Sequence, residues 1–366
     1  MHHTSTRIGD IVNQPLIADH EGMHTLVSAL GQSATELAGK HLVLTGAAGF
    51  LGTQIAKALV YLNEHILQTP CRITLMDNFI SSEPLMNNLK GVSLSFLAHD
   101  VSLPIPRVDE KIDFIMHAAG IASPSIYMKH PLEALNVSIS GTQNILEMAK
   151  DHKARVLFFS SSEIYGDPDS LNIPTSEQYR GNVSTMGPRA CYDEGKRVGE
   201  TLCYIYHSYF DVHTNVVRPF NVFGPGMRES DRRVLPNFAS QIKKGVPLTI
   251  YGTGLQTRTY CYIDDAVAGF LLALLRGSSG EAYNVGNPNP EIDINGLISV
   301  IESVLGRPIE LSVIPHPADY PKDEPLRRCP DISKARADLG YEPVVDLKTG
   351  IKRFLRWTDQ NYTGRA

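Results

Sequence analysis

The 366-residue chain is poor in three things. Its five cysteines, Cys71, Cys191, Cys203, Cys261 and Cys329, are odd in number, widely spaced and form no C-x-x-C pair. That argues against a disulfide framework or a zinc site, so no metal is expected, and it favours a reduced, cytoplasmic compartment. Cationic charge is also short. Lys and Arg number 34 against 39 acidic residues, the net charge is -5, and no basic run exceeds three residues. A nucleic-acid surface is therefore excluded. No stretch approaches the roughly 20 apolar residues of a membrane span. The first residues lack the charged, apolar and small-residue order of a secretion signal. What remains is a globular composition, 42% hydrophobic and 20% charged, long enough for one large core or two modest ones.

Residues 1–38 carry no core pattern and read as an N-terminal extension with a helix near Gly22–Leu37. His2 and His3 are too few for a metal site. From Lys40, short apolar runs alternate with longer helical stretches. The runs are His41–Thr45, Arg72–Met76, Ser93–Leu97, Phe114–His117, Arg155–Ser160 and Thr214–Arg218, and the helical stretches include Thr53–Leu67, Leu132–Lys150 and Asp193–Tyr209. Continuous apolar strands between amphipathic helices predict an α/β fold, a Rossmann-type doubly wound parallel sheet covered on both faces. It would occupy 39–220, with Thr259–Leu275 returning to it as a strand and helix within 259–276. Beyond Pro219 the regularity fails, and 221–355 reads mainly as a smaller C-terminal substrate-binding α/β region, with 356–366 as a tail.

The first strand ends in Thr45-Gly46-Ala47-Ala48-Gly49-Phe50-Leu51-Gly52 and runs into a helix. Glycines there let the backbone approach a pyrophosphate seated on the helix N-terminus. The spacing is G-x-x-G-x-x-G rather than the standard fingerprint, and alone it marks no more than a tight turn. The second run ends at Asp77, whose carboxylate would accept hydrogen bonds from adenosine ribose hydroxyls. An acid repels a 2′-phosphate, and no Arg or Lys lies between Asn78 and Leu89. NAD is thus favoured over NADP.

Tyr192 and Lys196 stand i and i+4 at the start of a helix and share a face. A close ammonium would favour the phenolate and lower its pKa, giving a base for a sugar hydroxyl. The spacing alone is common. The fifth strand adds context, because it delivers Ser160-Ser161-Ser162-Glu163 at its carboxyl end, where open α/β sheets bind ligands. Three hydroxyls and a carboxylate exceed what capping a loop requires.

Together, Gly46–Gly52, Asp77, Ser160–Gly166 and Tyr192/Lys196 resemble the extended short-chain dehydrogenase/reductase family of nucleotide-sugar enzymes. The segments Gly187–Arg197, Ser162–Pro168, Gln256-Thr257-Arg258, Asn284–Pro288, Pro330-Asp331-Ile332 and Leu339–Pro343 resemble the UDP-glucuronate decarboxylases within it. The resemblance covers roughly residues 40–355.

It implies a sequence of chemistry on bound NAD. Hydride leaves sugar C4 while Tyr192 takes the hydroxyl proton, and carbon dioxide leaves beta to the new ketone. C5 is then protonated and the returning hydride regenerates NAD. Ser161 would hydrogen-bond the C4 oxygen and Glu163 would assist decarboxylation. It also implies that Asn78, Asp100, Val101, Ala118, Ala119 and Gly120 line the cofactor. Ser162, Asn221, Arg233, Tyr251, Arg258, Tyr206 and Arg328 would hold the nucleotide-sugar, whereas Arg228 and Arg232 read as surface residues. Relatives usually carry Arg where this chain has Gly226, and commonly Lys where it has Asn136, so two positive charges near an anionic ligand are missing. A 4-epimerase uses the same Tyr, Lys and NAD but has no use for Glu163. A 4,6-dehydratase needs an Asp where Ser162 stands. A non-catalytic NAD-binding regulator would have no reason to keep Ser161, Tyr192 and Lys196 together. The family's pairing of the helices Leu132–Lys150 and Asp193–Tyr209 implies a homodimer through a four-helix bundle.

Overall fold

A computed structural model describes residues 20–81, 93–231, 233–315 and 325–364. Residues 1–19 of the expected extension, part of the cation-free stretch after Asn78, and Arg232 lie outside the described residues. The strands are β1 (His41–Thr45), β2 (Arg72–Asp77), β3 (Leu94–Ala98), β4 (Phe114–His117), β5 (Arg155–Phe159) and β6 (Thr214–Pro219). Then come β7 (Val222–Phe223), β8 (Leu248–Tyr251), β9 (Thr257–Arg258), β10 (Cys261–Tyr262), β11 (Ala282–Val285), β12 (Leu311–Ile314) and β13 (Arg327–Arg328). The helices are α1 (His20–Leu30), α2 (Phe50–His65), α3 (Pro124–Tyr127), α4 (Pro131–Asn136), α5 (Thr142–His152) and α6 (Ala190–Phe210). They continue with α7 (Val234–Lys244), α8 (Ile263–Arg276), α9 (Ile294–Leu305), α10 (Ser333–Leu339) and α11 (Leu347–Asn361).

Side chains alternate across a strand, and that alternation builds both layers here. Leu42, Leu44, Leu157 and Phe159 face a core shared with α1, α2, α8 and α11, including Leu26, Leu59, Phe270 and Phe354. Their neighbours Val43, Val156 and Phe158 face a second core with Ile145, Leu146 and Cys203 of α5 and α6. Seven parallel strands result, in the order β11-β6-β5-β4-β1-β2-β3. Strand order reverses between β1 and β4, which pair Thr45 with His117. A ligand crevice is expected beyond the strand ends at such a switch point. The two-stranded ladders β7/β10, β8/β12 and β9/β13 build the region over that crevice.

Three differences from the sequence reading have physical causes. The helix expected near Gly22–Leu37 forms as α1 followed by a 3-10 turn, Gly31–Leu37, yet it is no extension. Leu26, Leu30, Ala34 and Leu37 are fully buried against the first core. Arg276 of α8 holds the segment down, donating to the Leu30 carbonyl (3.0 Å) and Ser33 Oγ (2.7 Å). Second, β11 joins the central sheet beside β6 instead of serving the substrate region. Third, the helix expected over Leu132–Lys150 is interrupted by a π turn at Val137–Gly141. Gly195 of α6 sits there against Ser138, so close helix packing coincides with the irregular turn, a feature frequent near functional sites. Leu26→Ala is expected to destabilise the whole domain by about 2–5 kcal/mol. Urea denaturation with an unchanged slope checks this, and a loss near zero would mean that α1 is peripheral.

Candidate active site

The glycine turn closes tightly around the switch point. Gly46 has φ +68°, and a Cβ there would lie 2.6 Å from the Ala118 carbonyl oxygen. The turn hands over to α2 at Gly49, whose N-cap position has no side-chain acceptor. The first amide groups of α2 therefore remain available for an anion, with the helix dipole behind them. Asp77, buried at the end of β2, accepts from the amides of Ala48 (2.9 Å) and Phe79 (2.7 Å) and so fixes the loop it faces. Burial works against the Asp100 carboxylate. Hydrogen bonds from Ser102 and from Asn78 Nδ2 (2.9 Å) nevertheless hold its pKa below the ordinary value. His117, pushed down to about 3 by burial and by Lys196, is neutral. Its ring nitrogens meet Thr45 Oγ1 (2.8 Å) and Thr142 Oγ1 (3.2 Å), and Thr45 Oγ1 accepts from the Ala119 amide.

One cavity of about 840 Å³ runs from this turn past the end of β5 into the C-terminal region. Gly46, Gly49, Phe50, Leu51, Gly52, Asp77, Asn78, Asp100, Val101 and Ala118–Gly120 line one end. Ser161, Ser162, Glu163, Tyr192, Asn221, Arg233, Tyr251, Arg258 and Arg328 line the other. The residues present fit NAD: the glycine turn leaves no room for side chains, and the buried Ser160 Oγ, which also lines the cavity, has no partner among the described residues.

Tyr192 enters the cavity from the first turn of α6, its ring stacked on Tyr127 with centroids 5.6 Å apart. Ser161 caps the 3-10 turn Ser162–Tyr165, accepting from the Glu163 amide, and its hydroxyl faces the Tyr192 phenol. Burial pushes that phenol up to about 12, with Ser161 opposing the rise. The expectation that Lys196 lowers it is therefore corrected. Lys196 lies below the cavity wall, its Nζ donating to the Phe159 carbonyl (2.7 Å) and standing 5.8 Å from the Tyr192 ring centroid. Burial brings its own pKa down to about 8, so it loses its charge only as pH rises through that value.

Next to Tyr192 lies a buried cluster of four charges. Arg328 forks onto Glu163, Nη1 to Oε1 at 2.6 Å and Nη2 to Oε2 at 2.7 Å, in the bidentate geometry that suits guanidinium and carboxylate. Arg189 also donates to Glu163 Oε2, and its Nε lies 3.6 Å from Asp193 Oδ2. Burial raises the Glu163 carboxyl, but Arg328 and Arg189 outweigh it and hold its pKa below the usual value. Asp193, raised by burial and by Glu163, stands at about 7.

Of the expected residues, Lys196 and Tyr206 do not line the cavity. The Tyr206 hydroxyl donates to Glu147 Oε1 (2.5 Å) and its ring packs on Phe210, so it ties α6 to α5 behind the sheet. Tyr206 shares the face of Tyr192 to within about 40°, but fourteen residues carry it about 21 Å further along the helix, beyond the cavity. Arg228 donates to the Ser81 carbonyl (2.9 Å) and does not line the cavity. Arg189, Asp193, Tyr127 and His117 were missed. For the first two, the signal was an acid and a base at i,i+4 around the tyrosine. Gly226 sits with φ +99°, where a Cβ would lie 2.7 Å from Gln54 Nε2. The amide of Gln54 fills the room that an arginine would need.

A phosphate-accepting turn opposite a buried Tyr–Ser pair with a nearby Lys defines a Rossmann-fold enzyme that oxidises a hydroxyl. The chain belongs to the NAD dependent epimerase/dehydratase family, whose model matches residues 42–286. UDP-glucuronic acid decarboxylase 1 of Xenopus tropicalis is 39% identical over 320 residues, 87% of this chain and 72% of that one. The Arabidopsis thaliana protein of the same name is 37% identical, over 86% of this chain and 68% of its own. The UDP-glucuronic acid 4-epimerase from Bacillus cereus, solved in complex with UDP-glucuronic acid and NAD, superposes with a TM-score of 0.72 at 28% identity, covering 88% of this chain and 100% of that one.

Glu163→Gln leaves two guanidiniums without their shared counter-charge and is expected to cost about 3–5 kcal/mol of stability. Because the folded pKa of Glu163 lies below its ordinary 4.5, its contribution is present above that value and is lost as pH falls through the folded pKa. Denaturation at neutral pH and at acid pH should show the gap between wild type and variant closing in acid.

Proposed function

We propose that the protein is an NAD-dependent decarboxylase of UDP-glucuronate, forming UDP-xylose and carbon dioxide. The observation that carries this reading is Glu163 held between Arg328 and Arg189 on the wall shared with Tyr192. Two buried guanidiniums beside a hydroxyl-oxidising tyrosine suit a sugar that bears a carboxylate next to the reacting carbon.

Gly46–Gly52 and Asp77 would hold the cofactor, with Asn78, Asp100, Val101 and Ala118–Gly120 along its adenosine and nicotinamide ends. Bound NAD supplies a reversible hydride acceptor at sugar C4. Tyr192 takes the C4 hydroxyl proton, and Ser161, whose hydroxyl faces that phenol, holds the C4 oxygen. The ketone then stands beta to the carboxylate. As the C5–carboxylate bond breaks, its electron pair enters the enolate, carbon dioxide departs, and a solvent proton is delivered to C5. Glu163 steers the guanidiniums toward the carboxylate. Ser162, Asn221, Arg233, Tyr251 and Arg258 bind the nucleotide-sugar. Dehydration lacks its acid at Ser162. The Bacillus cereus likeness supports a 4-epimerase of the same acid as the second reading. Incubation with UDP-glucuronate separates the two by mass: decarboxylation yields a product lighter by carbon dioxide, whereas epimerisation yields an isomer. Tyr192→Phe is expected to lower turnover by about 10²–10⁴-fold, and unchanged turnover would overturn its role.

The same reading makes the protein a cytoplasmic homodimer. All five cysteines are free, which supports a reducing compartment. Leu132 of α4 and Tyr204, Tyr209 and Phe210 of α6 are exposed on adjoining helices, an apolar surface that a second copy would cover in a four-helix bundle. Light scattering is expected to give twice the chain mass, and a monomer would contradict the dimer.

A further inference from the structure

Asp193 follows Tyr192 on α6 and is 6% exposed, yet its Oδ1 has no hydrogen-bond partner among the described residues. The charged groups around it are Arg189 at the start of its own helix, Glu163 after β5 and Arg328 of β13. The phenols of Tyr127 and Tyr192 and the Cys191 thiol also lie within its field. On α4, Glu133 and His130 pair with one another at 3.7 Å on the surface. With both acids ionised, the cluster of two guanidiniums and two carboxylates is neutral. It is also incompletely bonded at both ends, because Arg328 Nε is buried without a partner as well.

A sugar carboxylate brought to this wall would leave one uncompensated negative charge in a buried site, which is costly. We propose that Asp193 is a charge-balancing positioning residue: binding of an acidic nucleotide-sugar draws one proton from solvent onto Asp193, which keeps the buried wall neutral as Arg189 turns from Asp193 toward the sugar carboxylate. This rests on the carboxylate-substrate reading above. The step balances, since the carboxylate of Asp193 becomes a carboxylic acid and the solvent or buffer loses the proton. Asp193 is the member suited to it. Burial and Glu163 already bring its pKa up to about 7, while the two arginines keep Glu163 ionised. Below pH 7 Asp193 carries the proton beforehand, so uptake fades there. Above pH 7 uptake approaches one proton, and affinity for the acid falls by up to about tenfold per pH unit. A neutral nucleotide-sugar has no such dependence.

The test is calorimetric titration of the NAD-loaded Tyr192→Phe protein, which holds the ligand unreacted, at about pH 8 in two buffers of different ionisation heat. UDP-glucuronate is expected to draw nearly one more proton than UDP-glucose. Adding Asp193→Asn should abolish that excess and tighten UDP-glucuronate binding at pH 8 by about tenfold. Merely structural damage would weaken binding instead. Asp193→Ser is a second neutral variant with the same expected loss of uptake. Equal uptake for the two ligands, or an excess that survives both substitutions, overturns the inference. Product analysis of the wild type decides the decarboxylase reading separately, so each can fail without the other.

Discussion

Three distant pieces of chain meet at one carboxylate. Glu163 follows β5, Arg189 opens α6, and Arg328 comes from β13, 165 residues further along. Through these bonds the C-terminal ladders are fixed over the end of the sheet, and the cavity acquires its second wall. β13 pairs with β9, so the same contact also sets Arg258. Buried ion pairs seldom add net stability over apolar packing. Keeping four charges here is therefore understood through what they do, which is to hold guanidiniums in place beside a tyrosine.

The tyrosine itself is less reactive in the protein alone than its spacing from Lys196 suggests. Burial raises the phenol, and the same burial lowers the lysine pKa to about 8. Ser161 is the group that touches Tyr192, and it is held by its capping bond to the amide of Glu163. The Tyr192–Ser161 pair and the charged cluster are thus joined through one short turn, Ser161–Glu163, and cannot shift independently.

The fold was legible because alternation along β1 and β5 left little choice about which faces are buried, and because the glycine turn ends its strand at the switch point. The cofactor end of the site was legible for the same reason, being local in sequence. The wall of Arg189, Glu163 and Arg328 was not, since it forms only when β13 is brought back against the end of β5. Tyr206 shares the face of Tyr192 but lies four turns further along α6, about 21 Å away, where its hydroxyl meets Glu147. The segment Gly22–Leu37 hid its role because His, Gly, Ser, Thr and Gln are interspersed among its apolar residues. Leu26, Leu30, Ala34 and Leu37 are nonetheless spaced to lie on one side, and α8 supplies the matching surface.

The central claim is that Tyr192 and the guanidinium wall act on one sugar acid, with oxidation at C4 opening the way for loss of carbon dioxide at C5. Turnover of UDP-glucuronate in heavy water, with the product analysed by NMR, tests it most directly. The account predicts UDP-xylose carrying one solvent deuterium at C5 and the original hydrogen at C4. A product that keeps its carboxylate, or UDP-xylose with no deuterium at C5, would contradict it.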